Sequence, residues 1–172
     1  MMIDLMLSRR SIRKFTDEKI SEADKNLLLS AGLSAPSSMA KYPVEFIVTE
    51  DKEMIAKLRK CKNMGTTALN TAPMVITVIA DSRLSDVWVE DASIAASYIT
   101  LEAEKLGLGL NWIQMRLRNS NAGPSEAEVR KTLGIPEKYG VLALLAVGHK
   151  AEFPSGYTKD ELNFRKVHNE KF

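Results

Sequence analysis

The run Arg9-Arg10-Ser11-Ile12-Arg13-Lys14 carries four cations and one hydroxyl within six residues. Extended backbone turns successive side chains to opposite faces, so Arg9, Ser11 and Arg13 line one face while Arg10, Ile12 and Lys14 line the other. Two guanidiniums beside a hydroxyl suit an anionic group with a neighbouring carbonyl, because arginine's planar donor fork grips phosphate bidentately. The same composition also describes a solvated basic surface, so the rest of the chain must decide between the two. No Ser/His/Asp or Cys/His nucleophile arrangement accompanies the cluster. His149 and His168 stand apart from each other and from Cys61, which is not a metal-ligand spacing, so no metal is expected. Cys61, between Lys60 and Lys62, is expected to be a surface bystander thiol with a somewhat lowered pKa.

The chain has 172 residues and a net charge of +2. A single domain, 1–172, is expected, long enough to bury roughly 70% of its unfolded surface. The near balance of charge argues against a general nucleic-acid binder. One cysteine rules out an intramolecular disulfide, which fits a reducing compartment. Asp4 interrupts the apolar start and Arg9 and Arg10 follow, which is not a signal-peptide pattern. The longest apolar run, Val141–Val147, is too short to span a bilayer. These features predict a cytoplasmic protein with no membrane partner.

The elements that must position the cluster follow from periodicity and punctuation. A short helix is predicted over Ile3–Ser8. Ser21 with Asp24 resembles a capping box, and a helix to about Ser34 is expected to bury Ala23, Leu27, Leu28 and Ala31. Pro36 forces a turn. Val44–Thr49 reads as a strand, Asp51 caps a helix, and Met74–Ala80 reads as a strand buried on both faces. A long helix runs from about Asp86 to Leu106 and stops at Gly107. Its slim middle, Ala92 to Ser97, fits either its own core or a dimer interface. Gly109–Gln114 is a third strand. Ser125 with Glu128 caps a helix ending before Gly134, and Val141–Val147 is the fourth strand. Residues 149–172 are polar with scattered aromatics, a composition suited to lying across another surface. Strands alternating with helices predict an α/β or α+β layered fold. No glycine-rich dinucleotide fingerprint is present.

Four segments then stand out: Arg9-Arg10-Ser11-Ile12-Arg13; Ala35-Pro36-Ser37-Ser38; Asp91-Ala92-Ser93 leading through Leu101-Glu102-Ala103 to Gly107-Leu108-Gly109-Leu110-Asn111-Trp112-Ile113; and Gly134-Ile135-Pro136 with Val147-Gly148-His149. Their conjunction and order resemble the nitroreductase family of FMN-dependent oxidoreductases. The ending Val167-His168-Asn169-Glu170-Lys171-Phe172 resembles the C-terminus of its small members.

The resemblance implies an α+β, nitroreductase-like fold. Its sheet would be mixed, of about four to five strands flanked by helices, and its C-terminal tail, 149–172, would be exchanged across a homodimer. It implies FMN at the subunit interface and NADH or NADPH as electron donor. Arg9 would hold the flavin phosphate, with Arg10 and Ser11 in the same motif, and Arg13 would reach the pyrimidine edge as an electrostatic stabiliser. Pro36, Ser37, Ser38, Met39 and Ala40 would come from the other subunit. Backbone of Trp112, Ile113, Gln114 and Met115 would pass near flavin N5. Arg165 would complete the phosphate site, with Lys150 competing for that role. No side chain is assigned as an obligatory acid or base.

The implied reaction is ping-pong hydride transfer to a flat acceptor such as a quinone or nitroaromatic. Specialised flavin chemistry of the dehalogenase or flavin-fragmenting type, and a non-catalytic FMN-binding module, are the alternatives. The chain departs from the family at Ala40, Tyr42 and Val44, where Asn, Gln and Trp are common. Losing one neutral hydrogen bond costs about 0.5–1.5 kcal/mol, too little to abolish a site of many contacts.

Overall fold

The computed structural model describes residues 1–172. Helix α1 spans Met2–Ser8, α2 Glu22–Leu33, α3 Lys52–Lys60, α4 Trp88–Lys105 and α5 Ser125–Leu133. Strand β1 spans Val44–Thr49, β2 Met74–Asp81, β3 Leu108–Gln114 and β6 Tyr139–His149, while β4 (Asn119–Ser120) and β5 (Gly123–Pro124) form a separate hairpin.

The main sheet has the order β1-β2-β6-β3, and every neighbouring pair is antiparallel. This differs from the mixed sheet expected from sequence, and the reason is topological. The α4 crossover sends β2 and β3 in the same direction, but β6 enters between them antiparallel to both. Parallel pairing survives only as the isolated bridge between Ser11 and Leu110.

Both faces of the sheet are covered, which is why its central strands read as unbroken apolar runs. On β2, Val75 and Ile79 enter one core with Ile55 and Leu58 of α3 and Val129 of α5. Met74, Ile76, Val78 and Ala80 enter the other, with Leu28 of α2 and Ala92, Ala96 and Ile99 of α4. The slim middle of α4 is therefore used inside this chain's own core. Its opposite side leaves Ile94 and Tyr98 exposed.

Two local readings change. In α2, Ser21 does cap the helix, accepting from the Asp24 N–H at 3.0 Å. The buried stripe, however, is Leu28 and Gly32, and Ala23 and Leu27 face outward. A Cβ on Gly32 would sit 2.7 Å from the Phe46 ring and 2.8 Å from Ile99, so the missing side chain is what seats the helix on β1 and α4. In α5, Pro124 takes the N-cap position, and Ser125 is the first helical residue, its buried hydroxyl without a partner. Glu126, rather than Glu128, reaches backbone, accepting from Val141 N–H at 3.2 Å.

The basic segment is fastened by backbone. Ile12 N–H donates to Leu110 O at 3.1 Å and Thr16 N–H to His149 O at 3.0 Å, so residues 11–16 run along β3 and the end of β6. Ile12 is buried, and a Cβ on Gly109 would meet its Cγ2 at 2.8 Å. After β6, Tyr157 N–H donates to Leu7 O at 2.8 Å. Beyond that contact Phe164, Val167 and Phe172 are exposed. No helix is long and apolar enough to cross a membrane.

Candidate functional site

Helix α1 ends at Ser8, and the chain enters extended backbone at Arg9 (φ −61°, ψ 130°). Burial of Ile12 against Gly109 then turns Ser11 outward. Two cavities open on either side of Arg9 and Ser11. One, of about 330 Å³, is lined by Arg9, Arg10, Ser11, Arg13, Glu152, Pro154 and Tyr157. The other, of about 510 Å³, is lined by Met6, Arg9, Ser11, Ser97, Thr100, Leu101, Leu110 and Trp112. The first is strongly cationic. The second has an apolar wall on β3 and α4 with hydroxyls at its rim. Arg9 and Ser11 belong to both, so one bound molecule could place an anion in the first and a flat apolar body in the second.

The guanidiniums of Arg9 and Arg13 have no carboxylate within salt-bridge distance. Glu152, the acid within the cationic cavity, is engaged by the Arg13 backbone N–H at 2.5 Å. Arg10 is used differently. It donates to Ser155 O and lies over the Tyr157 ring at 4.9 Å, tying the tail to the basic segment. Strict alternation had set Arg10 apart from Arg9 and Ser11. The tail folding back under α1 draws it into the same cavity.

Of the remaining sequence candidates, Trp112 lines the apolar cavity and donates its indole N–H to Gln114 Oε1 at 2.9 Å. Ile113 and Met115 point into the core, leaving only their backbone for a ligand. Pro36 and Ser37 line a separate small cavity beside α2 and α4 that shares no residue with the Arg9 cavities. Ser38, Met39 and Ala40 form a one-turn 3₁₀ segment in which Met39 is 84% exposed. Within one chain this loop and the basic segment stay apart. Lys150 is held by Glu104 at 2.7 Å. Arg165 lies in the tail beside Asp160 and Leu162. His149 stands 3.7 Å from Glu18.

Cys61 is buried rather than at the surface, and burial pushes its thiol pKa up, against the lowering expected from Lys60 and Lys62. A further cavity of about 590 Å³ opens between Phe15, Ile55 and Arg59 and contains none of the basic cluster. Sequence reasoning passed over Glu152, Tyr157, Ser97, Thr100 and Leu101. The helical spacing of Ser97 and Leu101 was legible, but which surface they would face was not.

The Nitroreductase family model matches residues 6–68 and 60–149. The chain is 34% identical over 175 residues to a protein of Archaeoglobus fulgidus that bears the provisional name NADH dehydrogenase/NAD(P)H nitroreductase, covering 99% of this chain and 98% of the relative. The structure resembles an FMN-dependent nitroreductase from Clostridium difficile R20291 with a TM-score of 0.96 and 41% identity, covering 99% of both chains. It resembles the NADPH:FMN oxidoreductase from Vibrio harveyi complexed with NAD+ with a TM-score of 0.85 and 26% identity, covering 99% of this chain and 77% of that one. With matches that run almost end to end in sequence and in fold, the chain belongs to the nitroreductase family.

Proposed function

We propose that the protein is a cytoplasmic, homodimeric FMN-dependent oxidoreductase that uses NADH or NADPH and reduces a flat acceptor such as a quinone or a nitroaromatic compound. The observation that carries this reading is the shared position of Arg9 and Ser11 between a cationic cavity and an apolar one. A phosphate joined to a flat ring system has that distribution of charge and surface, and free guanidiniums supply the charge-assisted donors it requires. The donor set therefore fits FMN.

When bound, FMN would supply the redox chemistry, a two-electron relay between nicotinamide and acceptor. Arg9 and Ser11 hold the phosphate. Arg13 places a fixed positive charge beside the cofactor and favours its reduced, more negative form. Leu101, Leu110 and Trp112 exclude water from one side. A second copy contributes the Pro36–Ala40 loop and, through its tail, Arg165. Exposed Met6, Ile94 and Tyr98 around α1 and α4, together with the aromatics of the tail, support such an assembly. The connections Cys61–Ala72 and Asp81–Ser85 are short and leave the site without a long lid, which supports a broad acceptor range.

The test is the absorbance spectrum of the purified protein after incubation with FMN, followed by stopped-flow reduction with NADH and NADPH. The expected result is a yellow protein whose flavin is bleached by at least one nicotinamide and reoxidised by a quinone. A protein that takes up no FMN overturns the proposal, as does one whose flavin neither nucleotide reduces.

A further inference from the structure

Three of the six residues 37–42 adopt a backbone conformation that their side chains disfavour. Met39, Ala40 and Tyr42 have φ of 53°, 54° and 46°, and none is glycine. L-residues with a Cβ enter this left-handed region at an energetic cost, and such strain persists only where surrounding structure holds it. Two hydrogen bonds from backbone N–H groups to side chains hold it here. Ser37 Oγ accepts the Tyr42 N–H at 2.7 Å. Asp91 Oδ1 accepts the Ser38 N–H at 2.8 Å from across the fold.

Asp91 is 3% exposed, and no lysine or arginine pairs with it. Its other oxygen accepts the buried Ser85 hydroxyl at 2.9 Å. It sits in the first turn of α4, where helix N–H dipoles favour a carboxylate. A carboxylate this buried, satisfied only by neutral donors, is costly to place unless its acceptors are needed. Its one contact outside its own neighbourhood is the strained loop.

We propose that Asp91 is a positioning residue: as a hydrogen-bond acceptor it locks the Ser37–Tyr42 loop, with its three left-handed residues, in the form presented to the cofactor. The second half rests on the reading that this loop meets FMN across the dimer, and the experiment separates the two.

In the 172-residue chain without FMN, amide exchange at Ser38 and Tyr42 is measured by NMR for the wild type, D91L, D91N, and D91L combined with A40G. FMN dissociation constants are then measured for the same set. Leucine keeps the branched skeleton of Asp but accepts nothing, whereas asparagine keeps an acceptor oxygen without the charge. The expected result is Ser38 exchange at least about tenfold faster in D91L and near wild type in D91N. FMN binding should weaken about tenfold in D91L and recover in large part with A40G, since glycine removes the left-handed penalty.

Unchanged Ser38 exchange in D91L overturns the lock. D91N behaving like D91L overturns the acceptor role in favour of charge. Faster exchange with unaltered FMN affinity overturns the link to the cofactor alone. If the wild type binds no FMN, the functional reading fails, and the exchange data still decide the lock. If D91L does not fold, S85A substitutes: it frees the carboxylate's second anchor and should speed Ser38 exchange, and no change there overturns the lock.

Discussion

The Lys150 ammonium lies 2.7 Å from Glu104 Oε2, with the two side chains only 16% and 12% exposed, and the same carboxylate accepts the Ser8 hydroxyl at 3.2 Å. Glu104 thus joins the end of α4 to the residue before Arg9 and to the start of the tail. Lys150, a sequence candidate for the phosphate site, is committed to this pair. Removing one partner of a fully buried pair costs about 3–5 kcal/mol, and residual exposure reduces that. Lys150→Ala should therefore destabilise the fold by about 2 kcal/mol in urea denaturation, while FMN affinity changes less than about threefold. A large loss of flavin with unchanged stability would reassign Lys150 to the cofactor.

Arg9 and Arg10 are neighbours with separable tasks. A hydrogen bond to a charged group contributes about 1.5–3 kcal/mol, so Arg9→Ala should weaken FMN binding roughly 10- to 100-fold. Arg10→Ala loses its contacts to Ser155 and Tyr157. Its main effect should be faster limited proteolysis between residues 152 and 161, with a smaller loss of flavin. Equal flavin losses in the two variants would show that both grip the cofactor.

Gly109 sets how closely the basic segment approaches β3. An added Cβ would fall 2.8–2.9 Å from Ile12. Gly109→Ala should cost about 1–3 kcal/mol by overpacking. In an Ile12→Ala background, where the Cγ2 and Cγ1 contacts are gone and only the Cβ at 2.9 Å is left, the same change should cost less. Additive denaturation midpoints across this cycle would disprove the contact.

Cys61 should be slow to react. Its thiol is buried, its pKa is raised by that burial, and its Sγ lies 3.5 Å from the Thr132 hydroxyl. Labelling by a disulfide reagent at about pH 8 should run at least about tenfold slower than for a free thiol, and should reach that rate once urea unfolds the chain. Rapid labelling of the native protein would contradict the burial.

Asp81 and Lys138 join the end of β2 to the turn before β6 at 2.7 Å. The hydrogen bond that Lys138 donates to Asp81 holds the Asp81 carboxyl below its usual pKa and holds the Lys138 ammonium above its own. For the acid, the contribution is present above the unfolded pKa of about 3.9 and is lost as pH falls through the lower folded value. For the lysine, it is present below about 10.4 and lost as pH rises through the higher folded value. Lys138→Met should flatten the fall in urea midpoint between about pH 5 and pH 3. An unchanged acid limb would show that solvent screens the pair.

Much of the fold was legible because its causes are local. Asp51 caps α3, accepting from Met54 N–H at 2.7 Å, and Gly134 ends α5 at φ 69°, both as their residue types require. β2 and β6 read as buried strands because apolar residues fill both of their faces. Local rules misled where a distant neighbour decided. Leu27 lost the core to Gly32, because Phe46 and Ile99 needed the space a glycine leaves. Ser125 lost its capping role to Pro124, and Glu126 found the Val141 N–H across the fold.

By itself, the sequence determined the order of the five helices and the four main-sheet strands, though not the β4–β5 hairpin, together with the clustering of cations around Ser11 and the family motifs, since each rests on residues close in the chain. Tertiary structure alone decided that Arg10 ties down the tail, that Lys150 belongs to Glu104, and that Asp91 reaches Ser38. These partners lie 145, 46 and 53 residues apart. Contacts at such separations are set by how helices and sheet close on each other, and no local periodicity encodes them.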